Sequence, residues 1–274
     1  MNRTENPIPE LVSSTIVDVY DRNGKSAENS PRWVIRERPV TLFLNGREMV
    51  TLLCAGRHLD ELAAGFFYGE GFINSPEDIL KIEVDEQSGK VALTAGNVAS
   101  FAERLWQKRT ITSGCGKGSL FYFSLDALLS KTVRSDIRIS PAQILDRVED
   151  LNHLSETYRQ THGVHNTALA APDRVLLFRD DIGRHNAVDM IVGHGFLNRI
   201  SLGDKLLLTT GRLTSEILIK AAKVNIPVLV SRNSATSLAI ELAGSLGVTL
   251  IGHARAGRFT VYSGRERINV PLSR

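Results

Sequence analysis

One cysteine set among glycines is the most chemically suggestive feature of this chain. Thr112-Ser113-Gly114-Cys115-Gly116-Lys117-Gly118-Ser119 surrounds Cys115 with three glycines and a lysine. Glycines let a backbone turn tightly and bring its N–H groups toward an anion or thiolate. Lys117 adds positive charge nearby. Both effects favour the thiolate, which is the form that accepts or gives sulfur. An ordinary glycine-rich turn with an incidental cysteine explains the same residues equally well. Cys54 closes an apolar run and reads as a small core residue.

The second half carries polar strings that could bind anions. Gly163-Val164-His165-Asn166 follows a long helical stretch, and His165 reads either as a ligand contact or as a satisfied, partly buried histidine. Asp180-Asp181-Ile182-Gly183-Arg184-His185-Asn186 follows a strand and opens a helix, whose first N–H groups are free donors. Arg184, His185 and Asn186 would add to them. Helix capping by Asp180 or Asp181 accounts for the acids but not for Arg-His-Asn. Thr210-Gly211-Arg212 and Ser231-Arg232-Asn233 also follow strands. Last comes His253-Ala254-Arg255-Ala256-Gly257-Arg258, a basic, glycine-containing loop. Guanidinium forks grip phosphate oxygens in pairs, although a solvated charged turn is the plain alternative. Four such loops at corresponding strand ends suggest one cleft for a large phosphate-bearing ligand.

The elements that must position these residues fall into two lobes after a polar stretch. Residues 1–31 read as a flexible tail with at most one short strand near Thr15–Tyr20. Residues 32–135 read as a smaller α+β lobe ending in the cysteine loop. Pro39–Leu44 and Glu48–Leu53 flank Asn45-Gly46, a strong hairpin turn signal. Leu59, Leu62, Ala63, Phe66 and Phe67 recur at helical spacing. Ile82–Val84 and Val91–Leu93 suggest a second hairpin around Ser88-Gly89. Residues 136–274 read as the cofactor-binding lobe. Ser140, Pro141 and Gln143 form a capping box for a helix with Ile144, Val148 and Leu151 on its buried stripe, ending at Gly163. Val175–Phe178, Leu206–Thr209, Val228–Val230 and Val248–Ile251 are short apolar strands separated by helices near Asn186–Val192, Thr214–Val224 and Ala235–Leu246. That alternation predicts an α/β lobe with a mostly parallel sheet and helices on both faces. Ligands in such sheets sit at the carboxyl ends of the strands, where these polar loops fall.

Composition bounds the rest. A net charge of +3 from 33 basic and 30 acidic side chains gives no basic stripe, which argues against nucleic-acid binding. Two cysteines are too few for a disulfide framework and fit a reducing compartment. Neither a signal peptide nor an apolar run of roughly 20 residues is seen, so the expectation is a cytoplasmic, non-membrane protein. Gly24-Lys25-Ser26 and Gly116-Lys117-Gly118 lack the upstream glycine of a P-loop. With Gly118 three residues after Cys115 there is no Cys-x-x-Cys pair, and no metal is expected.

Thr112–Leu120, Gly163–Leu169, Asp181–Asp189, Thr210–Ser215, Pro227–Leu238 and Leu250–Tyr262 together resemble the FdhD/NarQ family, the formate dehydrogenase accessory sulfurtransferases. The likeness runs in order from about residue 35 to 265, and the string Ile-Gly-Arg-His-Asn-Ala-Val-Asp is highly specific. The resemblance implies a three-layer fold similar to cytidine deaminases and a homodimer. It also implies a sulfur carrier that takes sulfur from a cysteine desulfurase as a persulfide on Cys115. The sulfur would go to the molybdenum or tungsten bis-molybdopterin guanine dinucleotide cofactor before insertion into formate dehydrogenase. His253, Ala254, Arg255, Ala256, Gly257 and Arg258 match the family's cofactor-binding segment, with His165, Arg184, His185, Asn186 and Arg212 as further contacts. GDP should bind as a fragment of the cofactor.

Many members carry Cys-x-x-Cys where this chain has Gly118. One sulfur nucleophile suffices for a persulfide, but an internal disulfide step is ruled out. The alternative is a non-catalytic chaperone that binds and delivers the same cofactor. Zinc-dependent deamination is rejected, because Thr167 stands where His-x-Glu would need its acid and the cysteine pair is missing. A nucleotide hydrolase lacks both P-loop and base.

Overall fold

The computed structural model describes residues 10–98 and 132–270 of the chain; the loop bearing Cys115 lies outside them. Val12–Asp21 (β1) and Gly24–Ile35 (β2) pair as an antiparallel ribbon with bulged register. The sequence predicted at most one short strand here. Most of these side chains are exposed, so pairing leaves little hydrophobic pattern to read. The base of the ribbon is tied down, with Arg36 Nε donating to Val12 O at 2.9 Å and Arg38 Nη2 to Glu10 O at 3.0 Å.

Arg38–Leu44 (β3), Arg47–Cys54 (β4), Ile79–Asp85 (β5) and Lys90–Ala95 (β6) form a sheet of order β4-β3-β6-β5. The expected hairpin turn is present, with Asn45 and Gly46 both at positive φ (49° and 78°). Helix α1, Leu59–Gly69, lies on this sheet. All five residues of its predicted stripe are buried, against Val40, Leu42, Val91 and Leu93.

The second lobe is built on a six-stranded sheet. His165–Ala170 (β7), Val175–Asp181 (β8), Leu206–Thr209 (β9), Val228–Ser231 (β10), Thr249–Arg255 (β11) and Arg258–Ser263 (β12) lie in the order β12-β11-β10-β9-β7-β8. Its helices are Pro141–Leu154 (α2), Glu156–Thr161 (α3), Arg184–Leu197 (α4), Ser215–Lys223 (α5) and Ser237–Leu246 (α6). Successive strand residues point to opposite faces. Leu169, Leu207, Leu229 and Leu250 therefore pack on α4, α5 and α6. Ala168, Leu208, Val230 and Ile251 pack on Ile144, Val148 and Leu151 of α2. The lobe thus has three layers.

Three expectations need correction. The sheet is mixed, not mostly parallel: β9/β10 and β10/β11 are parallel, while β7/β8, β7/β9 and β11/β12 are antiparallel. Its outer strands arrive through short hairpins, which reverse direction without a crossover helix. The helix capped by Ser140 does form its box, with Gln143 N donating to Ser140 Oγ at 3.2 Å and Ser140 N to Gln143 Oε1 at 2.9 Å. It stops at Leu154 rather than Gly163, because Ser155 starts α3 by accepting from Tyr158 N at 2.9 Å. Finally, the run His253–Arg258 is not a free loop: it is the end of β11, a tight turn at Ala256-Gly257, and the start of β12.

The two lobes meet where α1 crosses α4. A Cβ at Gly65 would lie 1.8 Å from Asp189 O, and one at Gly193 would lie 1.9 Å from Glu61 O. Each glycine therefore lets one helix backbone touch the other. Helix α4 is buried on nearly every side, its Met190 and Phe196 in the first core and its Val188, Ile191 and Val192 in the second.

Candidate functional site

Strand direction gathers the polar strings. The parallel strands β9, β10 and β11 end at Thr209, Ser231 and Arg255. Strand β7 runs against β9, so its first residue, His165, lies at that same edge. Strand β8 runs against β7, opposing Asp181 to His165, and the turn after it opens α4 at Arg184. One edge of the sheet thus carries His165, Arg184, Thr210, Arg232, His253 and Arg255.

Two cavities open there. One, of about 230 Å³, is lined by Tyr158, Thr210, Arg232, Asn233, His253 and Arg255. Its neighbour, of about 400 Å³, is lined by Leu145, Asp146, Val148, Glu149, Asn152, Arg232, Arg255, Ala256 and Gly257. Arg232 and Arg255 belong to both and form the partition. Arg232 is half-buried and fixed by donating from Nη1 to Asn152 Oδ1 at 2.8 Å. Arg255 is exposed at the end of its strand. His253 takes a positive φ of 51°, and its N–H donates to Asn233 O at 2.9 Å. Two guanidinium groups, an imidazole, an amide and a phenol around adjoining hollows suit a ligand with phosphates and a flat ring system.

The remaining candidates divide. His165 is half-buried, with Nδ1 3.5 Å from Thr210 Oγ1; burial, then the charges of Arg184 and His185, hold its pKa below the ordinary histidine value. Arg184 starts α4, and its Nε is buried without a partner among the described residues. Arg212 and Arg258 are exposed and line neither cavity. Ala254 is buried on the α2 side of the sheet.

His185 and Asn186 do other work. His185 Nε2 lies 3.0 Å from Glu216 Oε2. Asn186 Nδ2 donates to Leu53 O at 2.9 Å and to Asp181 Oδ1 at 2.8 Å. Asp181 also accepts from Ala55 N at 2.7 Å and Gly183 N at 2.9 Å. These bonds fasten the start of α4 to the end of β4. Burial pushes the Asp181 carboxyl up to about 6 despite them.

The same seam holds charged groups that the sequence did not flag. Arg179 grips both oxygens of Glu61 at 2.6 Å, and His194 Nδ1 lies 2.8 Å from Glu61 Oε1. Burial alone would raise the Glu61 pKa; the hydrogen bonds from Arg179 and His194 bring it below the usual value. Lys220 pairs with Asp189 nearby. Paired residues far apart in sequence, such as Glu61 and Arg179, leave no local signal. Tyr158 and Asp146 were also missed, since nothing in a helical stretch tells which outward residue meets a cavity.

Cys54 is fully buried, and burial, followed by the charge of Asp181, pushes its thiol up to about 12. It stays a thiol at any physiological pH and is no nucleophile. Among the described residues no three of His, Cys, Asp and Glu come together as a metal site, and no helix is long and apolar enough to cross a membrane.

Comparison with known proteins agrees with the sequence likeness. Residues 35–269 match the model of the FdhD/NarQ family. The sulfur carrier protein FdhD of Bacillus subtilis is 43% identical over 235 residues, covering 86% of this chain and 90% of that protein. The sulfur carrier protein FdhD of Geobacillus kaustophilus is 39% identical over 249 residues, covering 90% and 94%. The crystal structure of a candidate formate dehydrogenase accessory protein from Desulfotalea psychrophila superposes with a TM-score of 0.77 at 29% identity, over 94% of this chain and 100% of that one.

Proposed function

From the premise that this chain belongs to the FdhD/NarQ family, we propose that it is a cytoplasmic, homodimeric sulfur carrier for formate dehydrogenase maturation. The observation that carries this is likeness to proteins named sulfur carriers over most of the chain. The sealed state of Cys54 then leaves Cys115 as the remaining thiol. In the first step the Cys115 thiolate attacks the outer sulfur of a cysteine desulfurase persulfide. The donor's S–S bond breaks, its thiolate leaves, and Cys115 holds the new S–S bond. Glycines and Lys117 favour the thiolate that this attack requires.

The outer sulfur then passes to the molybdenum or tungsten bis-guanylyl molybdopterin, which is the substrate: the Cys115 S–S bond breaks, Cys115 leaves as thiolate, and the reduced metal of the substrate would supply the two electrons that make the sulfur sulfide. The arginine partition fits such a client: Arg232 and Arg255 face two hollows with Asn233, His253 and Tyr158 beside them. Pyrophosphate oxygens suit the guanidinium pair, and a flat base or pterin suits the hollows. The three-layer lobe, read as deaminase-like, supplies the scaffold without the zinc chemistry.

The test is mass spectrometry of the purified chain after incubation with a desulfurase and cysteine. A gain of one sulfur on Cys115, absent in Cys115→Ala, is expected; an unmodified thiol under conditions that load a control carrier overturns the reading. Cys115→Ala should abolish activation of formate dehydrogenase while GDP binding persists. Unchanged activation would reduce the protein to a cofactor chaperone.

A further inference from the structure

The larger cavity has an acidic side that the sulfur-carrier reading leaves unused. Ile144, Val148 and Leu151 turn the inner face of α2 to the sheet, while Asp146, Glu149 and Asn152 of the same helix line the cavity that Arg232 and Arg255 also line. Glu149 is already engaged: His153 Nε2 lies 2.9 Å from Oε1, and Asn152 Nδ2 donates to Oε2 at 3.3 Å. Asn152 in turn accepts from Arg232. Asp146 makes no ion pair or side-chain hydrogen bond among the described residues, yet it lines the same hollow as Arg232 and Arg255. A hollow lined by a spare carboxylate as well as two guanidinium groups is an uneven arrangement for a simple anion, which the acid would repel. It suits a ligand with donors at one end and phosphates at the other.

We propose that this cavity receives the nucleobase of the client and that Asp146 selects guanine, with Arg232 and Arg255 holding the phosphates. Guanine presents N1–H and the 2-amino group side by side, and a carboxylate accepts both at once. Adenine offers an N1 lone pair at that edge, which a carboxylate opposes. Hypoxanthine keeps N1–H and lacks the amine. The order of binding is therefore GDP, then IDP, then ADP. Asp146 is a specificity-determining residue, and the assignment rests on the guanylyl client proposed above.

The experiment is calorimetric titration of the full chain and its Asp146→Ala and Tyr158→Ala variants with GDP, IDP, ADP and inorganic pyrophosphate. The intact chain should prefer GDP over ADP by about tenfold, the selectivity of one bidentate base contact at an exposed site. Asp146→Ala should bring GDP and ADP within about twofold of each other while pyrophosphate binding is kept. Asp146 is an exposed helix residue, so the variant folds, and unchanged thermal unfolding verifies it. If GDP binds with its preference intact in Asp146→Ala, or if Tyr158→Ala is the variant that erases it, the assignment is overturned and the sulfur-carrier reading stands. If no nucleotide binds at about millimolar concentration, the guanylyl client itself is wrong, and this assignment falls with it.

Discussion

Two polar regions, the seam between the lobes and the edge of the six-stranded sheet, are built to opposite rules. At the seam, Glu61, Arg179, His194, Asp181, Asn186, Asp189 and Lys220 bond to one another or to backbone. At the sheet edge, Arg232, Arg255, His253 and Asp146 point into open hollows. The contrast shows why a distinctive sequence string is a poor guide to ligand contact. Ile182–Asp189 is a highly specific string, yet with Asp181 its polar groups mostly hold structure: Asp181 and Asn186 tie the two lobes together, while His185 and Asp189 pair with Glu216 and Lys220 of α5. The plainer Ser231-Arg232-Asn233 gives Arg232 to both cavities and Asn233 to the smaller one. Buried polar groups must be paired or they cost the fold dearly, whereas polar groups left open are free for a ligand.

Substitutions on either side test this division, and the seam should respond most. Gly193→Ala forces a methyl against Glu61 O and must push the helices apart; destabilisation of about 3 kcal/mol or more is expected by chemical denaturation. A loss below about 0.5 kcal/mol, the range of ordinary surface changes, would mean that the crossing is looser than described. Glu61→Gln comes next. It leaves the Arg179 guanidinium without its carboxylate in a mostly buried place, at a cost of about 2–3 kcal/mol.

Asp181 gives a pH signature. Its folded pKa is raised from 3.8 to about 6, so the native state holds more protons than the unfolded chain between those values. Its contribution is thus most favourable below about pH 4 and is lost as pH rises through 6, falling by about 2 kcal/mol between pH 4 and pH 6. Measuring unfolding free energy against pH for the intact chain and Asp181→Asn isolates it, whatever constant cost the amide brings. A difference that stays flat from pH 4 to 6 would place Asp181 among ordinary carboxylates. The smallest effect on stability belongs to the edge. Arg255→Ala should shift unfolding by less than about 0.5 kcal/mol while weakening GDP binding about tenfold. A large loss of stability there would erase the distinction between the regions.

Legibility in the sequence followed from where the pattern originates. Strands β9 and β10 were readable because they are apolar on both faces and bounded by polar residues. Helix α1 was readable from its stripe. Strand β7 was not, since His-Asn-Thr-Ala-Leu-Ala has no clean alternation and only Thr167 is β-branched; tertiary pairing on both sides makes it a strand. Strand β12 left a usable clue in Ala256-Gly257, whose positive φ values make a hairpin turn. Helix α4 was glimpsed only in part, because a helix buried all round has no periodic face. For the site, the end of a strand could be found but not which of Arg212 and Arg232 turns toward the cavities. Both lie in turns beyond the ends of β9 and β10, whose course is set by contacts with distant residues, such as Asn152 with Arg232.

The shared burial of α4 has a consequence for dissecting the chain. Its side chains complete two interiors at once, so neither half has a closed interior of its own. Fragments produced separately should aggregate or stay unfolded, and the intact protein should melt in a single transition. Two apparent building blocks in the chain order are one cooperative unit in the folded molecule.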